Sequence, residues 1–200
     1  MTKIRLLLLA IISVAAVLSA EPQIQSAGAN GKHVRTLIFD VAIDGRTWRF
    51  DNHPNPFSPF DVNVLGAVRR GNSFIVQGKV YPGGTIPSGG DFVHPNSFGP
   101  DSPGSIGQWI CRGVMNFDGS QILAGQVPHA ITTQIFLLSQ GALWTDGPEG
   151  GISVIRAVTG GTGQYSGERG QVRQDPLGVN AAGDSRHFNS RFIFSFEKDN

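Results

Sequence analysis

Asp40 lies in the middle of an alternating run, residues 34–43. Leu37, Phe39, Val41 and Ile43 share one parity there, and Thr36, Ile38, Asp40 and Ala42 the other. A carboxyl held away from water keeps its proton to higher pH and can protonate or orient a substrate carbonyl. As a solvent-facing or ion-paired strand residue the same acid would do no chemistry. Trp109 and Cys111 share a parity within residues 106–117, together with Met115. Trp109 is a candidate cavity-lining residue with Cys111 packed below it, and the competing role of both is core. Glu168 and Arg169 are adjacent, so in a strand they point to opposite faces. Arg169 either buttresses the fold through a buried pair or touches an anionic ligand. Glu168 is either a surface acid or an additional acid in the site. Asn63, Arg69, Asn189 and Arg191 are polar side chains within predicted strands, placed to hydrogen-bond a ligand. His94 sits in a long loop as a candidate lid residue.

Other chemistries find no support. The five histidines are scattered, with no helix-spaced pair and no cysteine cluster, so no metal site is expected. Gly161 and Gly163 are followed by Ser166 where a dinucleotide fingerprint needs a third glycine, and a strand follows where a helix should. No nucleophile-elbow pattern supports a Ser-His-Asp triad. No cofactor is expected.

Strands are the elements that must carry these residues. Gly (27) and Pro (12) together make up nearly a fifth of the 200 residues, and charged residues are only 16%. No Gly- and Pro-free window holds a helical apolar period. Strands are predicted over 34–43, 60–69, 73–81, 106–117, 131–138, 151–158, 165–173 and 186–196, with a short one at 141–144. Asp44-Gly45 is expected to close the first strand, and 60–69 to pair with 73–81 through Arg70-Gly71-Asn72. Residues 175–183 read as a polar loop. Residues 82–104 are too rich in Gly and Pro for regular structure, and such a loop is expected to serve the site, here as a lid at a barrel mouth. The pattern leaves a closed antiparallel barrel or a sandwich open. Strands apolar on both faces imply an outer surface covered by something, such as another subunit.

Lys3 and Arg5 precede an apolar run, residues 6–18, and Ala20 offers a cleavage point, which is the pattern of a secretory signal peptide over residues 1–20. Thirteen residues, apolar but for Ser13, are short for a membrane span. Residues 21–33 read as a flexible extension and 34–200 as a single domain. The chain is expected to be secreted or periplasmic, with no membrane span after cleavage. Without Lys3 and Arg5 the chain holds 14 basic against 15 acidic residues, too balanced for a nucleic-acid partner. The single cysteine leaves stability to the core.

Residues 154–172 read VIRAVTGGTGQYSGERGQV. This segment resembles the signature of the allene oxide cyclase and dirigent barrel superfamily. There a strand ending in a Val-Thr-Gly-Gly-Thr-Gly-like turn is followed by an aromatic, a Gly, a small residue and Arg-Gly. The matching residues are Val158 to Gly163, Tyr165, Gly167, Arg169 and Gly170. Glu168 departs from the pattern, standing where the family often has a small residue. An early strand with a central acid, Asp40, and an aromatic-rich final strand agree with the same family.

The resemblance implies an eight-stranded antiparallel, calycin-like barrel, a homo-oligomer (dimer or trimer), and a pocket for a hydrophobic small molecule. It implies either a cofactor-independent cyclase or isomerase, or a dirigent-type binder that steers radicals made by a separate oxidase. In that reading Asp40 and Glu168 move protons, and Trp109, Asn63, Arg69, His94, Arg169, Asn189 and Arg191 contact the substrate. The alternative is a non-catalytic carrier or structural barrel with a filled interior.

Overall fold

The computed structural model describes residues 34–51, 68–91, 93–181 and 188–197. The expected leader and extension, the strand over 60–69 but for its last two residues, and Asn63 lie outside these. Eight strands pair antiparallel in chain order: β1 (Val34–Phe50), β2 (Ser73–Pro82), β3 (Gly107–Met115), β4 (Ala130–Leu138), β5 (Gly141–Glu149), β6 (Val154–Gly161), β7 (Gly170–Val179) and β8 (Phe188–Glu197). β8 returns to pair with β1 and closes the barrel, so no strand edge is left open. This settles barrel against sandwich. Where no helix was expected, one short helix, α1 (Gly119–Leu123), follows β3. No helix among the described residues is long and apolar enough to cross a membrane.

Alternation decides what fills the barrel. Leu37, Phe39 and Val41 from β1, Phe136 from β4, Leu143 from β5, Val172 from β7 and Phe192, Phe194 and Phe196 from β8 all face inward and are buried. The Phe136 ring meets those of Phe192 and Phe194 edge-on at 4.9 and 5.1 Å. Each such ring contributes about 2–3 kcal/mol by leaving water. These phenylalanines plug one half of the barrel. The other half is bounded by the end of β1, the start of β2, the ends of β3 and β5, and the start of β4 and β8.

Three local expectations are corrected. β1 does not end at Asp44-Gly45. Asp44 pairs with Gln77 and Arg49 with Ile75, so four residues of β1 stand against one of β2 in a wide bulge. Thr47 holds it: its Oγ1 donates to the Asp44 carbonyl at 2.6 Å and accepts from the Gln77 N–H at 2.8 Å. β2 takes β1 and β3 on its two edges, so the neighbour expected from 60–69 has no edge to occupy. β5 runs on to Glu149, past the short strand expected at 141–144, and β7 to Val179, through residues read as a polar loop.

The Gly- and Pro-rich segment after β2 is not a lid over the mouth. It runs as a strap across the outer wall of β1, β8 and β7. The Gly83 N–H donates to the Ile38 carbonyl (3.1 Å), Gly89 to Leu177 (2.8 Å) and Asn96 to Val179 (2.9 Å). Ile86 and Phe98 of the strap pack with Ala42, Tyr81 and Leu177 into a small second core outside the barrel. The covering inferred for that outer surface is therefore this strap on the β1–β8–β7 side. Gly178 permits the crossing: its φ is +104°, and a Cβ there would stand 2.0 Å from the Gly89 carbonyl oxygen.

Candidate functional site

The open half of the barrel holds a cavity of about 120 Å³. Its wall is mostly apolar, built from Ile43, Trp48, Phe50, Phe74, Val76, Trp109, Met115 and Phe188, and it opens between α1 and the Gly150-Gly151-Ile152 bend. Among the described residues, polar side chains enter the lining at Glu149, Gln174, Ser190, His129 and Cys111, beside the indole rings of Trp48 and Trp109.

Glu149 is the acid of this wall. It ends β5 opposite Ala130, and its carboxyl bends inward to two amides. Gln174 Nε2 donates to Oε1 at 2.7 Å, and Gln134 Nε2 donates to Oε2. Gln134 also donates to Gln174 Oε1 at 3.1 Å, so the two amides brace each other as well as the carboxyl. Arg156 of β6, fully buried, stands 3.8 Å from Oε2 without hydrogen-bonding it. Its donors are spent elsewhere: Nη1 on the Pro148 carbonyl (2.6 Å), Nη2 on the Thr132 carbonyl (2.8 Å), and Nε on Thr145 Oγ1 (3.2 Å). Burial pushes the Glu149 carboxyl above its ordinary range, and this outweighs the pull of Arg156 and the two amides in the opposite direction. The site therefore presents, in a mostly apolar chamber, a carboxyl that holds its proton to higher pH than an ordinary glutamate. That is the arrangement general acid catalysis requires.

Two neighbours qualify that picture. His129, next to Ala130 and against the Gly151 bend, is half-buried, and burial lowers its proton affinity, so the ring is biased toward its neutral form. Cys111 lies 1% exposed, and burial with nearby Glu149 pushes its thiol well up, so it is a poor nucleophile.

Of the residues predicted from sequence, Trp109 lines the cavity. Asp40 does not. Its parity is outward, and it is fully buried under the strap. Its Oδ2 accepts the Gly84 and Ile86 N–H groups at 3.0 and 2.9 Å, and Arg191, its cross-strand partner, donates from Nε at 2.7 Å and from Nη2 at 3.0 Å. Arg191 reaches on to the Ile86 carbonyl (3.3 Å). Asn189, also beneath the strap, donates to Asn96 Oδ1 (3.1 Å) and the Phe98 carbonyl (3.2 Å). These three residues staple the strap to the wall and do not meet the cavity.

Glu168 and Arg169 lie at the opposite, plugged end, in the turn before β7. Glu168 accepts from Arg35, whose guanidinium lies 4.8 Å over the Phe196 ring, and Arg169 donates to the Thr159 carbonyl. His94 is exposed in the strap beside Asp91, 3.4 Å away. Arg69 is exposed next to Val68, which does line the cavity.

Sequence reasoning missed Glu149, Gln134, Gln174 and Arg156. Glu149 sits in Asp146-Gly147-Pro148-Glu149-Gly150, which reads as a turn. Arg156 had a usable signal, since a lone cation at an apolar parity of 154–158 must find a buried partner.

Two pterocarpan synthase dirigent proteins of known structure share this architecture. One superposes with a TM-score of 0.53 at 15% identity, over 88% of this chain and 99% of its own. The other gives 0.51 at 13% identity, over 92% and 100%. At these identities the likeness establishes the fold: an eight-stranded barrel of the dirigent type, as the segment 154–172 implied. Neither a family model nor a curated protein matches the sequence.

Proposed function

We propose that the barrel binds a hydrophobic small molecule in its open half and steers that molecule's cyclisation, isomerisation or coupling, with Glu149 delivering or taking the proton. The observation that carries this reading is one carboxyl, 21% exposed, braced by two amides and raised by its partial removal from water, in a mostly apolar cavity. The wall would hold a flexible substrate in a reactive shape while water is kept out. The resemblance to proteins that act this way without a cofactor supports the same reading. In it, Asp40 and Glu168 are structural residues and the proton chemistry belongs to Glu149. Export through the leader is part of the proposal, and N-terminal sequencing of protein recovered outside the cytoplasm checks it.

The test is to identify the apolar molecule that co-purifies with the full chain by mass spectrometry and to follow its conversion. Glu149→Gln is expected to keep binding and to lose turnover by about 10²–10⁴-fold. Turnover at the wild-type rate in that variant removes Glu149 from the mechanism. A coupling role is separated by adding an oxidase: product chirality then depends on the protein while the total rate does not.

A further inference from the structure

Five buried side-chain atoms have no hydrogen-bond partner among the described residues: Arg35 Nε, Trp109 Nε1, Thr132 Oγ1, Gln134 Oε1 and Asn189 Oδ1. Only Trp109 belongs to the cavity wall. A buried indole usually finds an acceptor, because leaving the N–H unpaired is costly. Elsewhere in the barrel the chain fills the inward positions at this depth with phenylalanine: Phe136 is the cross-strand partner of Trp109, and Phe192 packs 6.4 Å from it. Phenylalanine would serve for packing here too and would strand no donor. The tryptophan, a residue of the cavity wall, thus carries one buried donor with no partner among the described residues.

The charges of the wall point the same way. No Lys or Arg among the described residues lines the cavity. Arg156, the cation nearest to it, is sealed from solvent and committed to two backbone carbonyls and Thr145. A carboxylate entering the cavity would find no free cation among the described residues, and one indole N–H would offset only a small part of its lost hydration.

Building on the ligand-binding reading above, we propose that the cavity takes a neutral, mostly apolar molecule whose polar handle is an uncharged oxygen, that the indole N–H of Trp109 reads that oxygen, and that a carboxylate of the same skeleton is turned away. The handle then lies at the deep end, beside Cys111, and the apolar body points past Met115 toward the mouth.

A matched set of probes tests this on the full chain: the acetyl, ethyl and carboxylate derivatives of benzene, which suit a cavity of about 120 Å³, titrated at neutral pH by calorimetry. Wild type is expected to bind the ketone about tenfold more tightly than the ethyl compound, the worth of one buried hydrogen bond. The carboxylate should bind at least about a hundredfold more weakly than the ketone. In Trp109→Phe the ketone should lose its advantage over the ethyl compound. In wild-type protein, the Trp109 indole proton should move downfield with the ketone and stay in place with the ethyl compound. This NMR readout decides the matter even where the variant fails to fold. Equal or tighter binding of the carboxylate overturns the proposal, and so does a ketone preference that survives in Trp109→Phe or an indole proton indifferent to the ketone. In each of those cases the cavity is still seen to bind apolar molecules. Should none of the three probes bind wild type, the cavity reading falls together with this one.

Discussion

Replacing Asp40 by asparagine separates a structural from a catalytic role for the acid that the sequence singles out. The asparagine carbonyl oxygen can still accept the Gly84 and Ile86 N–H groups, both of which fall on one carboxylate oxygen. What cannot survive is the two-point contact with Arg191, because an amide NH₂ would face a guanidinium. Breaking a buried ion pair costs about 3–5 kcal/mol. Arg191 keeps 27% of its side chain exposed and can recover some hydration, so the low end, about 3 kcal/mol, applies. For a chain of this size that corresponds to a fall in Tm of roughly 6–12 °C. Asp40 itself is sealed under the strap, so salt should weaken the effect little.

Thermal and urea unfolding measure the loss, and hydrogen exchange locates it. The Gly84 and Ile86 amides should exchange faster in the variant, while the Phe136 and Phe194 amides inside the sheet should be slowed or hastened only through global stability. Adding Arg191→Gln to Asp40→Asn should cost less than about 1 kcal/mol more, because the pair acts as one unit. A Tm within about 2 °C of wild type would refute the staple. So would loss of ligand conversion at unchanged stability, which would return Asp40 to the chemistry.

Two further outcomes follow from the buried groups. Glu149 titrates above its unfolded value, so its neutral form is favoured by the fold; the stability it lends is complete below the ordinary glutamate range and is lost as pH rises through the raised folded value. Glu149→Gln should therefore flatten the decline of stability with pH above that range, and urea titrations at a series of pH values check the slope. Cys111, buried and with its thiol pushed up, should resist a thiol reagent in the native protein and react on unfolding, with a rate difference on the order of a hundredfold; absorbance of the released chromophore with and without urea reads it.

Much of the architecture was legible because side-chain alternation is a local property. The run 34–43 displayed its inward and outward parities, and the structure keeps both. The aromatic parity of β8 was read in the same way, and so was the return of the chain after Gly163, whose φ of +60° suits a glycine. Strand ends were less legible where a turn dipeptide sits inside a long strand. Asp44-Gly45 falls in a bulge, and Gly147-Pro148 falls within β5, because pairing with β2 and β4 outweighs local turn preference.

The candidate site was harder to read. Asp40 was correctly placed on the parity opposite the core, but parity does not say whether that face meets water, a ligand or more protein. Here it meets the strap, which lies more than forty residues downstream. Glu149, Gln134, Gln174 and Arg156 come from four strands and have no common motif.

The sequence by itself determined the strand-rich class, the inward faces and the Gly-turn signature of the barrel, since each depends on neighbours a few residues apart. Only the tertiary structure decided which acid sits in the cavity. Barrel closure brings β4, β5, β6 and β7 inward around one carboxyl, and removal from water, a property of the whole enclosure, is what raises its proton affinity.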